Sequence, residues 1–207
     1  LGIRWLTDIP LPAYQNPGPW QSAFSQSRAI SILLRAFQHT QETGYLETAQ
    51  KALVSFTIPV SKGGVMSQTE WGPFFEEYPA DVPVLVLNGH IFSLFGLFDY
   101  TRVFPKDSRC KSLVNDGINS LLLSLSSFDM GYWSRYNFCK AEFYPKTDPA
   151  TISYHRLHII LLKVVNQFKE NSILTEYIKK WENYIGILNF VKASYWKYKA
   201  LQKLNRI

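Results

Sequence analysis

The stretch AFSQSRAISILLRAFQHTQETGYLETAQKALVSF, residues Ala23–Phe56, decides the fold because its pattern returns twice along the chain. Each copy reads as an apolar helix, a short polar turn and a second amphipathic helix, and the other copies span Leu87–Leu125 and Ile152–Ile185. The copies recur at roughly 60–70 residues, longer than the common solenoid periods. Recurring helical hairpins with long connectors predict a mainly α protein, an incomplete α/α toroid of three or more hairpins. In such a ring the inner helices carry the chemistry at one rim.

The segments outside the repeats predict the domain organisation of the 207 residues. Residues 1–19 contain four prolines, which exclude regular helix, and are expected to form an extended N-terminal arm. Residues 20–207 are expected to form a single α/α-toroid domain. The connectors 57–84 and 129–147 are rich in aromatic residues, and each is expected to hold a short β-hairpin over the same rim. Gly63-Gly64 would supply the tight turn of the first hairpin.

The basic residues are concentrated near the C-terminus. The net charge is +6, and Lys163–Ile207 contains nine basic and three acidic residues. Two interpretations stay open, an electrostatic guide for a polyanion and a solvated final helix. No recognised nucleic-acid-binding motif is present, and no apolar run is long enough to span a membrane. We therefore expect neither a nucleic-acid partner nor a transmembrane segment.

Polar residues in the connectors and at the starts of the inner helices form the candidate site. They are Gln26, Glu76, Glu77, Tyr78, Asn88, Tyr136, Lys140, Tyr154, His155, Arg156 and His158. Two histidines at i and i+3 suggest a metal, but no third ligand stands at a convincing spacing, so no metal is predicted. Two roles stay open for Asn88, capping the helix and hydrogen bonding to sugar hydroxyls. The role of Gln26 is similarly undecided.

These segments resemble the C-terminal domain of the D-glucuronyl C5-epimerases, the enzymes of heparan sulfate maturation and their prokaryotic relatives. The matching stretches are SAFSQSRAISILLRA, GGV, FFEEYPA with VLNGHIFSLFGLFD, FDMGYWSRYN, ISYHRLHIILL and WENYI. They run in family order from Trp20 to Ile185. The resemblance implies an α/α barrel or toroid, which agrees with the repeat.

The resemblance also implies a reaction, the inversion of C5 in glucuronate units of a polysaccharide without a cofactor. Such a reaction needs a base on one face of the sugar, an acid on the other, and donors for the charge that grows on the carboxylate. Carried over, the family's site residues are Glu77, Tyr78, Tyr136 and Tyr154. We expect Glu77 and Tyr154 to be the opposed proton-transfer pair, with Tyr136 and Tyr78 orienting the uronate or assisting the relay.

The remaining candidates are expected to bind substrate or tune the tyrosines. They are Gln26, Glu76, Asn88, Lys140, His155, Arg156 and His158. A tyrosine with a pKa near ~10 is a poor base at neutral pH. A basic neighbour would have to favour its phenolate, and His155, Arg156 or His158 would serve.

Two departures from the family pattern bear on activity. Where the family has Tyr-Asp-Leu-Arg-His, this chain reads Tyr136-Asn137-Phe138-Cys139-Lys140, so that a cysteine takes the place of the arginine and Lys140 follows it. Ser27 stands where a glycine is usual. The departure at Cys139 favours a non-catalytic glycan-binding module as one alternative to the epimerase. A polysaccharide lyase, which begins with the same proton abstraction at C5, stays as another.

The resemblance also predicts the surroundings of the chain. The expected partner is a uronate-containing polysaccharide, and an N-terminal β-rich domain of the family's enzymes is missing here. A homodimer is left open. Cys110 lies on an apolar helix face and is expected to be a buried free thiol, which leaves the compartment undecided. A eukaryotic relative would lie in the Golgi lumen, a prokaryotic one in the cytoplasm or cell envelope.

Overall fold

The computed structural model describes residues 2–207, and three antiparallel helix pairs dominate it. The first pair is α1 (Ala23–Thr40) and α2 (Gly44–Leu53), the second α3 (Leu87–Val103) and α4 (Ser108–Phe128), and the third α5 (Ile152–Phe168) and α6 (Ser172–Asn183). A seventh helix, α7 (Ile187–Lys203), follows. The predicted incomplete α/α toroid is confirmed.

Helix α3 is the centre of the arc because it is apolar nearly all round. It packs against both α1 and α5, while each of these inner helices packs on its own outer partner. Gly96 allows the close approach of α1, since a Cβ there would collide with the carbonyl oxygen of Ser27. The hydroxyl of Ser27 donates to the Phe24 carbonyl at 2.8 Å. The departure at Ser27 thus lies in the contact between two inner helices.

The first connector contains the predicted hairpin, but its turn lies elsewhere. Strands β3 (Met66–Thr69) and β4 (Gly72–Phe75) are antiparallel, with Thr69 opposite Gly72, so the turn is at Glu70-Trp71. The assignment of the turn to Gly63-Gly64 was wrong. Gly63 instead has a φ of +79° after a single 3-10 turn, a conformation that favours glycine.

The second connector does not form the predicted hairpin. Residues 129–149 make isolated bridges instead, pairing Asp129 with Ser134 and Arg135 with Pro149. A third bridge joins Asn137 to Val86, just before α3. Alternating aromatic residues suggested strands there, but the backbone makes only single bridges, two within the connector and one to Val86, and no strand pair.

The segment before α1 is tied to the first pair. A two-residue strand β1 (Leu6–Thr7) pairs antiparallel with β2 (Trp20–Gln21), and Ile3 N–H donates to the Lys51 carbonyl at 3.3 Å. Leu1 of the predicted arm lies outside the described residues. The division into an arm and one domain stays a prediction. Within residues 2–207 no helix is both long and apolar enough to cross a membrane.

Candidate active site

Two adjacent carboxylates follow β4 and face different surroundings. Glu76 is fully buried, and its carboxylate accepts hydrogen bonds from Ser67 Oγ at 2.7 Å, Leu85 N–H at 2.9 Å and Val84 N–H at 3.2 Å. Burial raises the pKa of Glu76 to about 7, and these donors oppose the rise. With no exposed surface, Glu76 organises the loop before α3 rather than binding substrate. The expected substrate-binding role is not supported.

Glu77 lies across the first turn of α3. A Cβ at Gly89 would come within 2.6 Å of Glu77 Oε2, so the missing side chain makes room for this carboxylate. Asn88 Nδ2 donates to the same oxygen at 3.4 Å. Burial raises the pKa of Glu77, while hydrogen bonding by Tyr78 and Asn88 lowers it.

Asn88 is not the helix cap that the sequence left open. The cap of α3 is Val86, which makes no side-chain cap hydrogen bond, and Asn88 lies inside the first turn. Its amide donates to Glu77, and a substrate-binding role for Asn88 stays a prediction. Sequence reasoning missed the part played by Gly89, although a glycine in the first turn of an apolar helix was a visible signal.

Tyr78 connects Glu77 to a cluster of aromatic rings. Its ring stacks on Tyr14 with centroids 5.6 Å apart and meets the edge of Trp20 at 5.7 Å. Burial, followed by the negative charge of Glu77, raises the pKa of Tyr78. The hydroxyl therefore keeps its proton at neutral pH and serves as a donor.

Tyr136 and Tyr154 complete the group from the other connector and from α5. Their rings meet edge to face at 5.1 Å, and 37% of Tyr154 is exposed. Burial first, then the charges of Glu77 and Tyr78, raise the pKa of Tyr136. One cluster therefore forms at the starts of α3 and α5 from Glu77, Tyr78, Tyr136 and Tyr154. Its first and last members are 77 positions apart in the sequence.

His155 belongs to the core and not to the substrate surface. Its Nδ1 accepts from Ser134 N–H at 3.1 Å, and its Nε2–H donates to the Trp181 carbonyl at 3.0 Å. Trp133 stacks on the ring at 4.0 Å. Burial lowers the pKa of His155 to about 4, so the ring is neutral at pH 7.

His158 is equally buried, and its Nδ1 lies 2.9 Å from Ser134 Oγ. Burial lowers its pKa to about 3. Neither histidine therefore carries the positive charge expected to favour a tyrosine phenolate. Within residues 2–207 no three His, Cys, Asp or Glu side chains are grouped as metal ligands. The absence of a metal stays a prediction.

Gln26 is also turned into the protein. It is fully buried, its Nε2 donates to the carbonyls of Ile3 at 2.7 Å and Ala52 at 3.0 Å, and its Oε1 accepts from Trp5 N–H at 3.4 Å. A side chain whose donor and acceptor are both engaged by backbone has little to offer a sugar. Gln26 joins the N-terminal segment to the end of α2.

The last two candidates are exposed. Lys140 Nζ pairs with Glu70 at 3.1 Å, with both side chains more than 60% exposed. Lys140 therefore does not replace the family's arginine at the cluster, and Cys139 lies half-buried among the apolar neighbours of Tyr78 and Tyr136. Arg156 is exposed on α5, two residues after Tyr154. Cys110 is a buried free thiol, as expected.

A cavity of about 610 Å³ adjoins the cluster on the side of Tyr78. Asn16, Trp20, Gln21, Gln68 and Asp81 are among its lining residues. Gln21 is 3% exposed, and neither its Oε1 nor its Nε2 has a hydrogen-bond partner. Because both atoms are buried, the Gln21 amide is closed off from the cavity and is not a group that the cavity presents to a ligand.

The chain is similar to known proteins over most of its length. It is 31% identical over 179 residues to the D-glucuronyl C5-epimerase of Caenorhabditis elegans, which covers 81% of this chain and 29% of the relative. It is 26% identical over 183 residues to an uncharacterized protein of Methanocaldococcus jannaschii, covering 86% of this chain and 57% of that protein. The chain thus spans less than two thirds of the length of both relatives.

A solved structure supports the fold. Cellobiose 2-epimerase from Spirochaeta thermophila superimposes with a TM-score of 0.54 at 16% identity, over 86% of this chain and 45% of that one. The family model described as D-glucuronyl C5-epimerase C-terminus matches residues 3–183, which include the whole cluster around Glu77 and Tyr154. The chain therefore belongs to the family of the D-glucuronyl C5-epimerase C-terminus.

Proposed function

We propose that this chain is the helical catalytic domain of a uronyl C5-epimerase that converts D-glucuronate to L-iduronate units within a polysaccharide. The observation that carries the proposal is the convergence of Glu77, Tyr78, Tyr136 and Tyr154 from two connectors and one helix. One carboxylate and several phenols are what a two-base proton transfer at a carbon next to a carboxylate needs.

The proposed roles follow from the environments of these groups. Glu77, whose pKa is raised by burial, removes the C5 proton. The electron pair left on C5 spreads into the uronate carboxylate as an enediolate, and the protonated hydroxyls of Tyr78 and Tyr136 donate to it. The Tyr154 hydroxyl then returns a proton to the opposite face of C5. Because Tyr154 is partly exposed, solvent restores its proton, and Glu77 releases its own to water.

The cavity beside Tyr78 supplies the proposed groove for neighbouring sugar units. Trp20 offers an aromatic ring and the exposed Gln68 an amide, the two kinds of group that pyranose rings and their hydroxyls engage. The relatives are longer than this chain, which supports the expectation that a further domain completes the groove. The test therefore uses the complete gene product.

The deciding experiment is incubation of the complete protein with heparosan oligosaccharides in D2O, followed by NMR of C5. An epimerase incorporates deuterium at C5 and forms iduronate without cleaving the chain. Glu77→Gln should lower the exchange rate by at least about 100-fold, and Tyr154→Phe should lower iduronate formation by as much. The matched control is Tyr195→Phe on the exposed face of α7, which should exchange at the wild-type rate.

Three other outcomes would reject the proposal in different ways. Products that absorb in the ultraviolet would identify a lyase, which expels the C4 substituent after the same proton abstraction. Oligosaccharide binding without deuterium incorporation would identify a glycan-binding module. Unaltered iduronate formation in Tyr154→Phe would remove that residue from proton transfer.

A further inference from the structure

Helix α7 lies beyond the residues that the family model matches, yet it packs beside the candidate site. The match ends at residue 183, and α7 begins at Ile187. Ala193 and Ala200 face the body of the protein and are buried. Ala193 packs with Trp133 in the cluster that also contacts Tyr136. This segment of the chain is therefore part of the surroundings of Tyr136.

Lys197 is the charged residue that α7 turns inward. Its Nζ lies 2.6 Å from Asp148 Oδ1, and the two side chains are only 19% and 3% exposed. The same ammonium group lies over the ring of Tyr136, 5.2 Å from the centroid. An ammonium at this distance is attracted to the face of the ring, and partial burial strengthens the attraction.

Asp148 holds both partners. Its carboxylate pairs with Lys197 and accepts from the Tyr144 hydroxyl at 2.8 Å, while its carbonyl oxygen accepts from Tyr136 N–H at 3.1 Å. Tyr136 is thus held through its backbone by Asp148 and across its ring by the lysine that Asp148 anchors. Loss of the ammonium would free the ring without breaking the backbone contact.

The other basic residues close to Tyr136 in sequence are engaged elsewhere. Lys140 pairs with exposed Glu70. Arg135 Nη1 donates to the Lys146 carbonyl at 2.7 Å, and its guanidinium lies over the Phe138 ring. The positive charge brought to the face of Tyr136 therefore comes from α7.

We propose that Lys197 is a positioning residue of this site, which holds the Tyr136 ring in place against Tyr154. That Tyr136 acts on a uronate rests on the proposed function. The placement of the Tyr136 ring does not, and the two are tested separately.

The activity test compares matched lysines on one helix. Lys197→Met should lower kcat for C5 deuterium exchange by about tenfold, because a displaced Tyr136 stabilises the enediolate poorly, while KM changes less than about threefold. Lys197→Arg should restore at least half of the rate. The control is Lys192→Met, which removes a similar contact of Nζ over the Tyr132 ring, 4.0 Å from its centroid, and should leave the exchange rate unchanged.

A second measurement needs no activity. In protein with 13C-labelled tyrosine rings, assigned through Tyr136→Phe, Lys197→Met should shift the Tyr136 ring signals, and Lys192→Met should shift only those of Tyr132. Should Lys197→Met not fold, Asp148→Asn breaks the ion pair, keeps an acceptor for Tyr144, and should shift the Tyr136 signals likewise.

The outcomes separate the two claims. Unshifted Tyr136 signals in the folded variant overturn the positioning role, whatever the activity. An unchanged kcat in Lys197→Met with an active wild type overturns it as well. No exchange in the wild-type protein, together with a shifted Tyr136, rejects the proposed function and leaves the placement of Tyr136 by Lys197 standing.

Discussion

At the start of α3 and at the start of α5, a buried histidine joins a connector to an outer helix. His90, the fourth residue of α3, accepts from Phe75 N–H at 2.9 Å, and its Nε2–H donates to the Gly117 carbonyl of α4 at 2.9 Å. Phe74 stacks on its ring at 4.1 Å. His155, the fourth residue of α5, makes the same two bonds, and the residue before its N–H donor stacks on it.

The first helix pair uses an amide for the same purpose. Gln26 is the fourth residue of α1, accepts a backbone N–H from the preceding segment and donates to the end of α2. Each repeat of the sequence therefore contains the same pair of hydrogen bonds. The fourth residue of the inner helix accepts from the preceding segment and donates to the outer helix, and we call this pair of bonds the fastening. What differs is the residue placed two positions after the fastened N–H, Glu77 after Phe75 and Tyr136 after Ser134. The shared fastening holds unlike functional groups at one rim.

The largest expected effect comes from breaking the fastening at α5. His155→Ala leaves the Ser134 N–H and the Trp181 carbonyl without partners in the core, and should lower the free energy of unfolding by about 4 kcal/mol. Urea unfolding measures the loss. His155→Gln and His90→Gln should retain more than half of the stability that alanine removes, because Gln26 makes the same bonds. If the glutamine variants are as unstable as the alanine variants, a glutamine cannot make the two hydrogen bonds of His90 or His155 in their place.

Acid should weaken both histidine fastenings. Burial lowers the pKa of His90 and of His155 to about 4, and that of His158 to about 3, below the ordinary 6.5. Between pH 6.5 and 4 the unfolded chain binds more protons at these sites, so stability present above pH 6.5 is lost as the pH falls.

Glu76 acts in the opposite direction, since its raised pKa favours the folded protein once it is protonated. Glu77, whose pKa burial also raises, acts in the same direction as Glu76. Three histidines outweigh the two carboxyl groups, and stability should fall by several kcal/mol by pH 4. Thermal unfolding in buffers from pH 8 to pH 4 measures it. A midpoint that stays constant from pH 6.5 to 4 would contradict neutral buried histidines, and His90→Gln should flatten the profile.

A smaller effect on stability, but a large one on activity, is expected at the start of α3. Gly89→Ala places a methyl group against the Glu77 carboxylate and should lower C5 exchange by at least about tenfold, with a stability cost of about 1 kcal/mol. Gly44→Ala is the control, because a Cβ there meets nothing within 4 Å, and it should leave exchange unchanged. Full exchange in Gly89→Ala would mean that Glu77 works from another position.

The smallest effect is expected where the two connectors meet at the surface. Lys140→Met removes the exposed pair with Glu70 and should cost less than about 0.5 kcal/mol, with no change in KM. Kinetics with heparosan oligosaccharides check this. A raised KM would return Lys140 to the substrate-binding role that the sequence suggested.

Glu77, Tyr78 and Tyr136 were expected at one rim, and their side chains do lie close together. Their roles in catalysis stay a prediction. For three polar residues at the rim, two on helices and one in the first connector, the sequence did not indicate that they are buried. Gln26, His155 and Glu76 looked like ligands because they are polar at the rim, but each satisfies backbone groups inside the core, and composition cannot distinguish these uses.

The sequence by itself determined the helix pairs, their order and the arc that they form. The spacing of apolar residues is a local property of the chain, and it sets which face of each helix is buried in the packed structure. Only the tertiary structure decided which way each polar side chain points. The pairing of Lys197 with Asp148 and its place over Tyr136 depend on how α7 returns to the second connector. Such contacts join residues far apart in the chain, and their strength depends on burial, which no local pattern records.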